Sequence, residues 1–365
     1  MRKGFIVVLA LLWSCSGKQA GKSIESDLDA YFSSFFNPGE PGATVLISKK
    51  GKVVFSKSYG LADLQTKEPV TSKTLFNLGS ISKTFVAYGI LILRDQGKLS
   101  LDDPLATYFN GFRNKSIAEK VTIRHLLTHT SGLPDNRNVA ADTVFYLTAK
   151  DQENWEPVMQ ADSLHFEPGE RFEYSNPAFN ALALIIEKVS GMKWQQFIIE
   201  NIFIPSGMTT STITDGAHPE QGVAHGYVKI RSEWREDDYG EEPTFAAAGN
   251  GGVWSSAEEL MLYEQAIRNA VFLPKKTIAK SQTVQHFANW KTETPPFIGL
   301  SWFIEQTSGG LKTIGHTGTQ GGFYCHYVYV PEKEILYLVL ANRAINREAF
   351  LEYIFNYLTA ENRLD

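Results

Sequence analysis

The chain has 365 residues, 43% hydrophobic and 21% charged, with 29 glycines and 15 prolines, the proportions of a soluble globular protein and not of a disordered, collagenous or coiled-coil chain. At roughly 150 residues per domain, that length supports two to three domain units or one large enzyme-sized domain. Lys and Arg number 35 against 40 Asp and Glu, a net charge of −5, so the basic footprint of a nucleic-acid-binding protein is missing. Two cysteines, Cys15 and Cys325, are too few for a disulfide framework or a cysteine-based zinc cage.

Arg2 and Lys3 precede an apolar run from Gly4 to Trp13 that meets the small residues Ser14-Cys15-Ser16-Gly17, the pattern of a secretory signal. Leu11-Leu12-Trp13-Ser14-Cys15 resembles the bacterial lipobox, in which cleavage just before a cysteine exposes it to lipidation. The other readings are an ordinary signal with a chance cysteine, or a short membrane anchor; the run is well short of the roughly 20 residues of a spanning helix. Residues 1–22 are therefore expected to be signal, lipobox and tether, giving an exported, cell-envelope or periplasmic protein anchored through Cys15, with folded structure beginning near Ser23.

Apolar residues at Ile24, Leu28, Phe32 and Phe35 predict an opening helix that Asn37-Pro38 ends. Thr44–Ser48 and Val53–Ser56, joined by Lys49-Lys50-Gly51-Lys52, predict a β-hairpin. From Ser80 to Gln96 one apolar face carries Ile81, Phe85, Tyr88, Leu91 and Ile92 up to Gly97, a helix starting at Ser80. Between there and about residue 210 the signals are mostly helical, including Ile123–Thr128 and Ala178–Val189, with few strands expected. Near the end, Leu300–Glu305, Leu311–Gly315, Gly322–Val330 and Ile335–Ala341 read as strands and Glu348–Leu358 as a final helix. The expected class is α/β (α+β): an antiparallel sheet from about residues 23–74 and 290–365, flanked by helices, with an inserted all-helical region at about 75–210. A crevice between the two parts is the default ligand site.

Three short segments carry the candidate chemistry. Ser80 and Lys83 lie three apart at a helix start, on one face; lysine acts as a base only if its pKa falls from about 10.4 toward 7 or 8, a push that burial and the helix N-terminus supply. Alone, this pair is also what a serine N-cap looks like. Tyr174-Ser175-Asn176 follows the turn Glu167-Pro168-Gly169-Glu170; Tyr174 is placed to take the Ser80 proton and return it to a leaving group, and Asn176 to orient a lysine or a substrate amide. The competing reading is a half-buried tyrosine with Asn176 as N-cap before Pro177. In Gly315-His316-Thr317-Gly318-Thr319-Gln320-Gly321-Gly322 a strand runs into glycines that allow close approach of backbone or ligand, or simply form a Gly-rich hairpin.

Ser-x-x-Lys, Tyr-x-Asn and His-Thr-Gly, in this order, resemble the three motifs of the serine β-lactamase and penicillin-binding-protein superfamily, in its class C-like branch. Agreement extends over about residues 25–358 through Leu75-Phe76-Asn77-Leu78-Gly79, Val121–Leu133 and Phe166–Glu170. The resemblance implies a serine hydrolase that forms an acyl-enzyme on Ser80, with Lys83 and Tyr174 sharing acid and base work and Tyr174 serving deacylation. It implies that Asn176, His316, Thr317, Gly318 and Thr319 bind substrate, with the backbone N–H groups of Ser80 and Thr319 as oxyanion hole. His316 departs from the lysine of many lactamases of this branch. With an ordinary pKa near 6.5 it is expected to gain charge, and to favour anionic substrates, only below about pH 6.5.

Esterase or amidase, D-alanyl-D-alanine peptidase and β-lactamase activities all fit, on small-molecule or peptide substrates such as cell-wall peptide or a β-lactam. The opposing class is a non-catalytic penicillin- or peptide-binding lipoprotein of the same fold. No cofactor and no metal is implied: His125 and His129 have the spacing of a zinc pair but lack the glutamate and third ligand. Glu167 reads as structural, Cys325 as a small buried hydrophobe, and Arg231–Glu242 as a solvated loop whose Trp234 and Tyr239 are within reach of the crevice. Oligomeric state stays open.

Overall fold

The apolar runs near the two ends of the chain meet in one sheet. A computed structural model describes residues 24–137, 142–214, 218–219, 221–237 and 245–359; Cys15 and Tyr239 lie outside them. The first elements are α1 (Ile24–Ser33), β1 (Ala43–Lys49), β2 (Lys52–Tyr59), β3 (Phe76–Asn77) and α2 (Ser82–Asp95), the last entered through a single 3₁₀ turn at Gly79–Ile81. Helices α3 (Lys115–Lys120), α4 (Ile123–Leu127), α5 (Thr143–Thr148), α6 (Asp151–Met159), α7 (Asn176–Ser190), α8 (Trp194–Ile198) and α9 (Ile204–Ser206) follow. The remainder comprises β4 (Tyr227–Ile230), β5 (Glu233–Glu236), β6 (Trp254–Ser255), α10 (Ala257–Asn269), α11 (Lys275–Ser281), β7 (Phe303–Gln306), β8 (Lys312–Gln320), β9 (Phe323–Val330), β10 (Ile335–Ala341) and α12 (Arg347–Thr359).

The main sheet is antiparallel, in the order β2-β1-β10-β9-β8-β7. Register places Val45 opposite Val339 and Ile47 opposite Tyr337. Alternation along β1 and β10 sends Val45, Ile47, Tyr337 and Val339 to a layer formed with α1 and α12, where Leu28, Phe32, Phe350 and Ile354 are buried. Leu46, Leu336, Leu338 and Leu340 face the larger core on the opposite side. Both faces are covered, which is why Ile335–Ala341 reads as an unbroken apolar run. The expected fold class holds.

Helix α2 is buried from Ser82 to Leu93, so it is surrounded and does not present the single apolar face that its pattern suggested. Two short pairings have no counterpart in the sequence expectations: β3 with β6, and the β4–β5 hairpin that occupies part of the expected loop at Arg231–Glu242. That hairpin turns at Arg231 and Ser232, both at positive φ, and its Trp234 lies under Lys229 and Arg343.

Candidate active site

Ser80 is held where the 3₁₀ turn at Gly79–Ile81 presses on β8. Gly79 has φ +50°, and a Cβ there would come within 2.7 Å of Thr319 N; a Cβ on Gly318 would lie 1.9 Å from Leu78 O. Glycine at both positions is what allows the turn and the strand to touch, bringing the Ser80 backbone against Gly318-Thr319. Asn77 Oδ1 fixes the turn by accepting from Gly79 N at 2.8 Å. Ser80 is not a helix cap: the N-cap of α2 is Ile81, without a side-chain bond. Instead Lys83 Nζ lies 2.9 Å from Ser80 Oγ and donates to the carbonyl of Asn250 at 2.7 Å. Lys83 is fully buried, and burial, reinforced by the Arg137 charge, holds its amine well below the ordinary lysine range.

Tyr174 is brought to this pair by His129, which stands at φ 54° just beyond α4. The two rings stack at 4.3 Å, and Lys83 Nζ lies 5.2 Å from the Tyr174 ring centre. Tyr174 is 39% exposed as a residue, yet its hydroxyl end lies deep, so burial raises its pKa while interaction with Ser80 acts against the rise. His129 Nδ1 accepts from Ser175 N at 3.0 Å, and burial, then the charges of Lys83 and His316, keep its imidazole well below its usual pKa. Ser175 is the N-cap of α7, its Oγ accepting from Ala178 N at 3.3 Å. The capping reading of Asn176 is thereby replaced. Asn176 is the first residue of α7 and half-buried, but the acceptor that Lys83 uses is the Asn250 carbonyl.

On β8, Thr317 is half-buried, Gly318 buried and Thr319 exposed, so the strand offers one rim of the site. His316 differs from expectation. It is 2% exposed, packs edge-on to Phe303 at 5.1 Å, and its Nδ1 lies 2.6 Å from Thr317 O. Burial, and then the nearby Lys83 charge, push its pKa down to about 3. A change of charge near pH 6.5 is therefore removed: the ring stays neutral because its environment disfavours the cation. The positive charge at this rim belongs to Arg347, whose Nη1 donates to Gly318 O at 2.9 Å and Thr319 Oγ1 at 3.0 Å. A single arginine at a helix start carries no sequence signal for such a place, nor does the carbonyl of Asn250.

The remaining candidates are accounted for locally. His125 Nδ1 accepts from Thr122 N at 3.1 Å in the capping box of α4, and its ring stacks on Phe287. Glu167 pairs with Lys120 on the surface at 3.1 Å, and Cys325 is buried in β9 with its thiol pushed up to about 12.

Residues 26–360 match the Beta-lactamase family. The chain belongs to the β-lactamase family. Penicillin-binding protein 4* of Bacillus subtilis is 30% identical over 318 residues, 84% of this chain and 69% of that protein. The octameric penicillin-binding protein homologue from Pyrococcus abyssi superposes with a TM-score of 0.77 at 27% identity, over 92% of this chain and 77% of that one. D-stereospecific amidohydrolase from Streptomyces sp. gives 0.73 at 22% identity, over 90% and 97%, a likeness of fold. The resemblance read from the three motifs is borne out, and the chain is a serine hydrolase of the class C β-lactamase type.

Proposed function

We propose that this β-lactamase-family hydrolase acts by acyl transfer through Ser80 on amide and ester substrates of peptide-like character, from an exported position anchored through Cys15. The observation that carries this reading is the opposed tuning of two groups around one hydroxyl. Lys83 is buried, depressed in pKa and 2.9 Å from Ser80 Oγ, while the Tyr174 phenol is raised. The two shifts run in opposite directions, the phenol toward keeping its proton and the amine toward giving its proton up. Held by the Asn250 carbonyl, Lys83 accepts the Ser80 proton as Oγ attacks the substrate carbonyl carbon. The oxyanion that forms is met by the N–H groups of Ser80 and Thr319, each such donor worth about 2.7 to 4 kcal/mol of transition-state stabilisation. Collapse of the tetrahedral species expels the leaving group, which takes its proton from Tyr174; water then attacks the ester with the same groups in reverse roles.

Neutral His316 favours substrates that need no cation in that position, and Arg347 at the outer rim is where a carboxylate would find one. Asn176 and Thr317 flank the acyl chain. The penicillin binding named for the 30%-identical relative from Bacillus subtilis supports amide substrates of this kind.

The test is intact-protein mass spectrometry of residues 22–365 after brief exposure to p-nitrophenyl acetate and, separately, to benzylpenicillin, with Ser80→Ala alongside. An acyl adduct mapped to Ser80 in the parent and absent from the variant is expected with the ester. Equal labelling and equal turnover by both proteins would defeat the acyl-enzyme reading. The benzylpenicillin sample separates substrate classes: a persistent adduct marks a penicillin-recognising peptidase, and released, hydrolysed antibiotic marks a lactamase.

A further inference from the structure

Asp151, the first residue of α6, is a carboxyl side chain buried to 6% exposure and has no part in the acyl-transfer steps above. Its Oδ1 accepts two hydrogen bonds, from Asn180 Nδ2 on α7 and from Gly249 N, both at 2.8 Å. The same Asn180 amide donates at 3.1 Å to the side-chain Oδ1 of Asn250. Asn250 is the residue whose main-chain carbonyl receives Lys83 Nζ at 2.7 Å. One acidic oxygen thus ties down both residues of the Gly249-Asn250 segment, one through its backbone and one through a bridging amide. A surface segment needs no such interior anchor. Burying a carboxyl group is unfavourable unless its bonds are made, and here those bonds converge on the segment that holds the catalytic amine.

We infer that Asp151 is a positioning residue for the reaction at Ser80: by fixing Gly249 and, through Asn180, Asn250, it holds the carbonyl that orients Lys83 Nζ toward the serine hydroxyl. The inference rests on the proposed role of Lys83 as base. Its contribution is that of an acceptor, since Oδ1 receives the Asn180 and Gly249 hydrogens, while burial pushes the carboxyl up to about 7 against those hydrogen bonds, with Glu187 adding to the rise. Around Lys83 the ionisable groups are Arg137, whose charge opposes protonation, His129 and His316, both kept neutral by burial, and Tyr174, whose ring centre is 5.2 Å from Nζ and whose phenol burial holds in the protonated form. The carbonyl of Asn250, accepting from Nζ at 2.7 Å, favours the protonated amine. Its displacement therefore lowers the proton affinity of Lys83 and leaves the amine badly aimed.

The experiment measures the pre-steady-state acylation rate by p-nitrophenyl acetate from pH 5 to 9 in the parent, Asp151→Leu, Asp151→Asn and Asn180→Leu. In Asp151→Leu the plateau rate is expected to fall by about tenfold to a hundredfold, the range for a small misplacement of a reacting group, with KM little changed. Its acidic limb should move to lower pH by about half a unit or more. Asp151→Asn, which keeps the acceptor, should restore both; Asn180→Leu should repeat the loss should Asp151→Leu not fold. A structural role alone lowers the denaturation midpoint and leaves the plateau and limb of the folded enzyme in place. That result, or a failure of Asp151→Asn to restore them, overturns the inference. If the parent itself shows no Ser80 acylation, the functional reading fails; if the parent acylates normally and the variants match it, only the positioning role fails.

Discussion

Lowering the pH from 7 to 5 should weaken the wild-type fold relative to His316→Gln by about 2 kcal/mol. In the unfolded chain the imidazole titrates near 6.5; in the folded protein burial among Phe303 and β8 brings it to about 3. At pH 5 the unfolded state binds nearly one proton more than the native state, and RT ln(1 + 10^1.5) is about 2 kcal/mol; at pH 7 the same expression gives about 0.2 kcal/mol. The folded pKa is depressed, so the stabilisation is complete above about pH 6.5 and is lost as the pH falls toward 3. Asp151 and Glu264, both pushed up to about 7 by burial, act in the opposite sense, so the comparison must be between two proteins at each pH and not between two pH values of one protein. Urea unfolding followed by tryptophan fluorescence reads the difference directly. If the stability curves of wild type and His316→Gln run parallel from pH 7 to 5, His316 titrates freely in the folded protein. It then carries the charge for anionic substrates that burial would otherwise deny.

Two substitutions test the division of labour at the site. Tyr174→Phe should slow amide hydrolysis by at least about a hundredfold, the lower end for loss of a general acid or base, and should slow acylation by p-nitrophenyl acetate much less, since that leaving group needs no proton. Equal losses on both substrates would make Tyr174 the base in place of Lys83. Gly318→Ala puts a methyl group 1.9 Å from Leu78 O. It should push the Ser80 turn off β8 and reduce kcat by about 10²- to 10³-fold through the oxyanion donors, at a stability cost of about 1 to 3 kcal/mol. Retained turnover at the parental rate would show that the turn does not need contact with the strand.

Ser80 and Lys83 were legible because a spacing of three at a helix start dictates a shared face, and Tyr174 because a phenol beside such a pair has an obvious use. The strands β1, β9 and β10 were legible because their apolar runs are long and bounded by turns, and β2 because a Gly-containing turn joins its short apolar segment to β1. What was hidden depends on contacts between distant segments. The left-handed turn at His129 that seats Tyr174 is a conformation that non-glycine residues adopt only in a few per cent of cases, histidine more often than most, so the residue type alone does not announce it. The β4–β5 hairpin turns at Arg231 and Ser232, neither of which announces a tight turn as glycine would. The Asn250 carbonyl is backbone, present in every residue, and only the tertiary path distinguishes it. His316 was visible as a departure from lysine, but its depth, which decides its charge, was not.

The pairing of β1 with β10 joins Val45 to Val339 and Leu46 to Leu338, residues far apart in the chain. Sequence-distant pairing of this kind gives a high contact order and slow, late closure of the sheet. During synthesis, β1 and β2 wait for β10, and the Ser80 turn waits for β8 to press against it. An incomplete chain therefore has its nucleophile without its oxyanion donors, and hydrolytic competence arrives only when the last strands have left the ribosome.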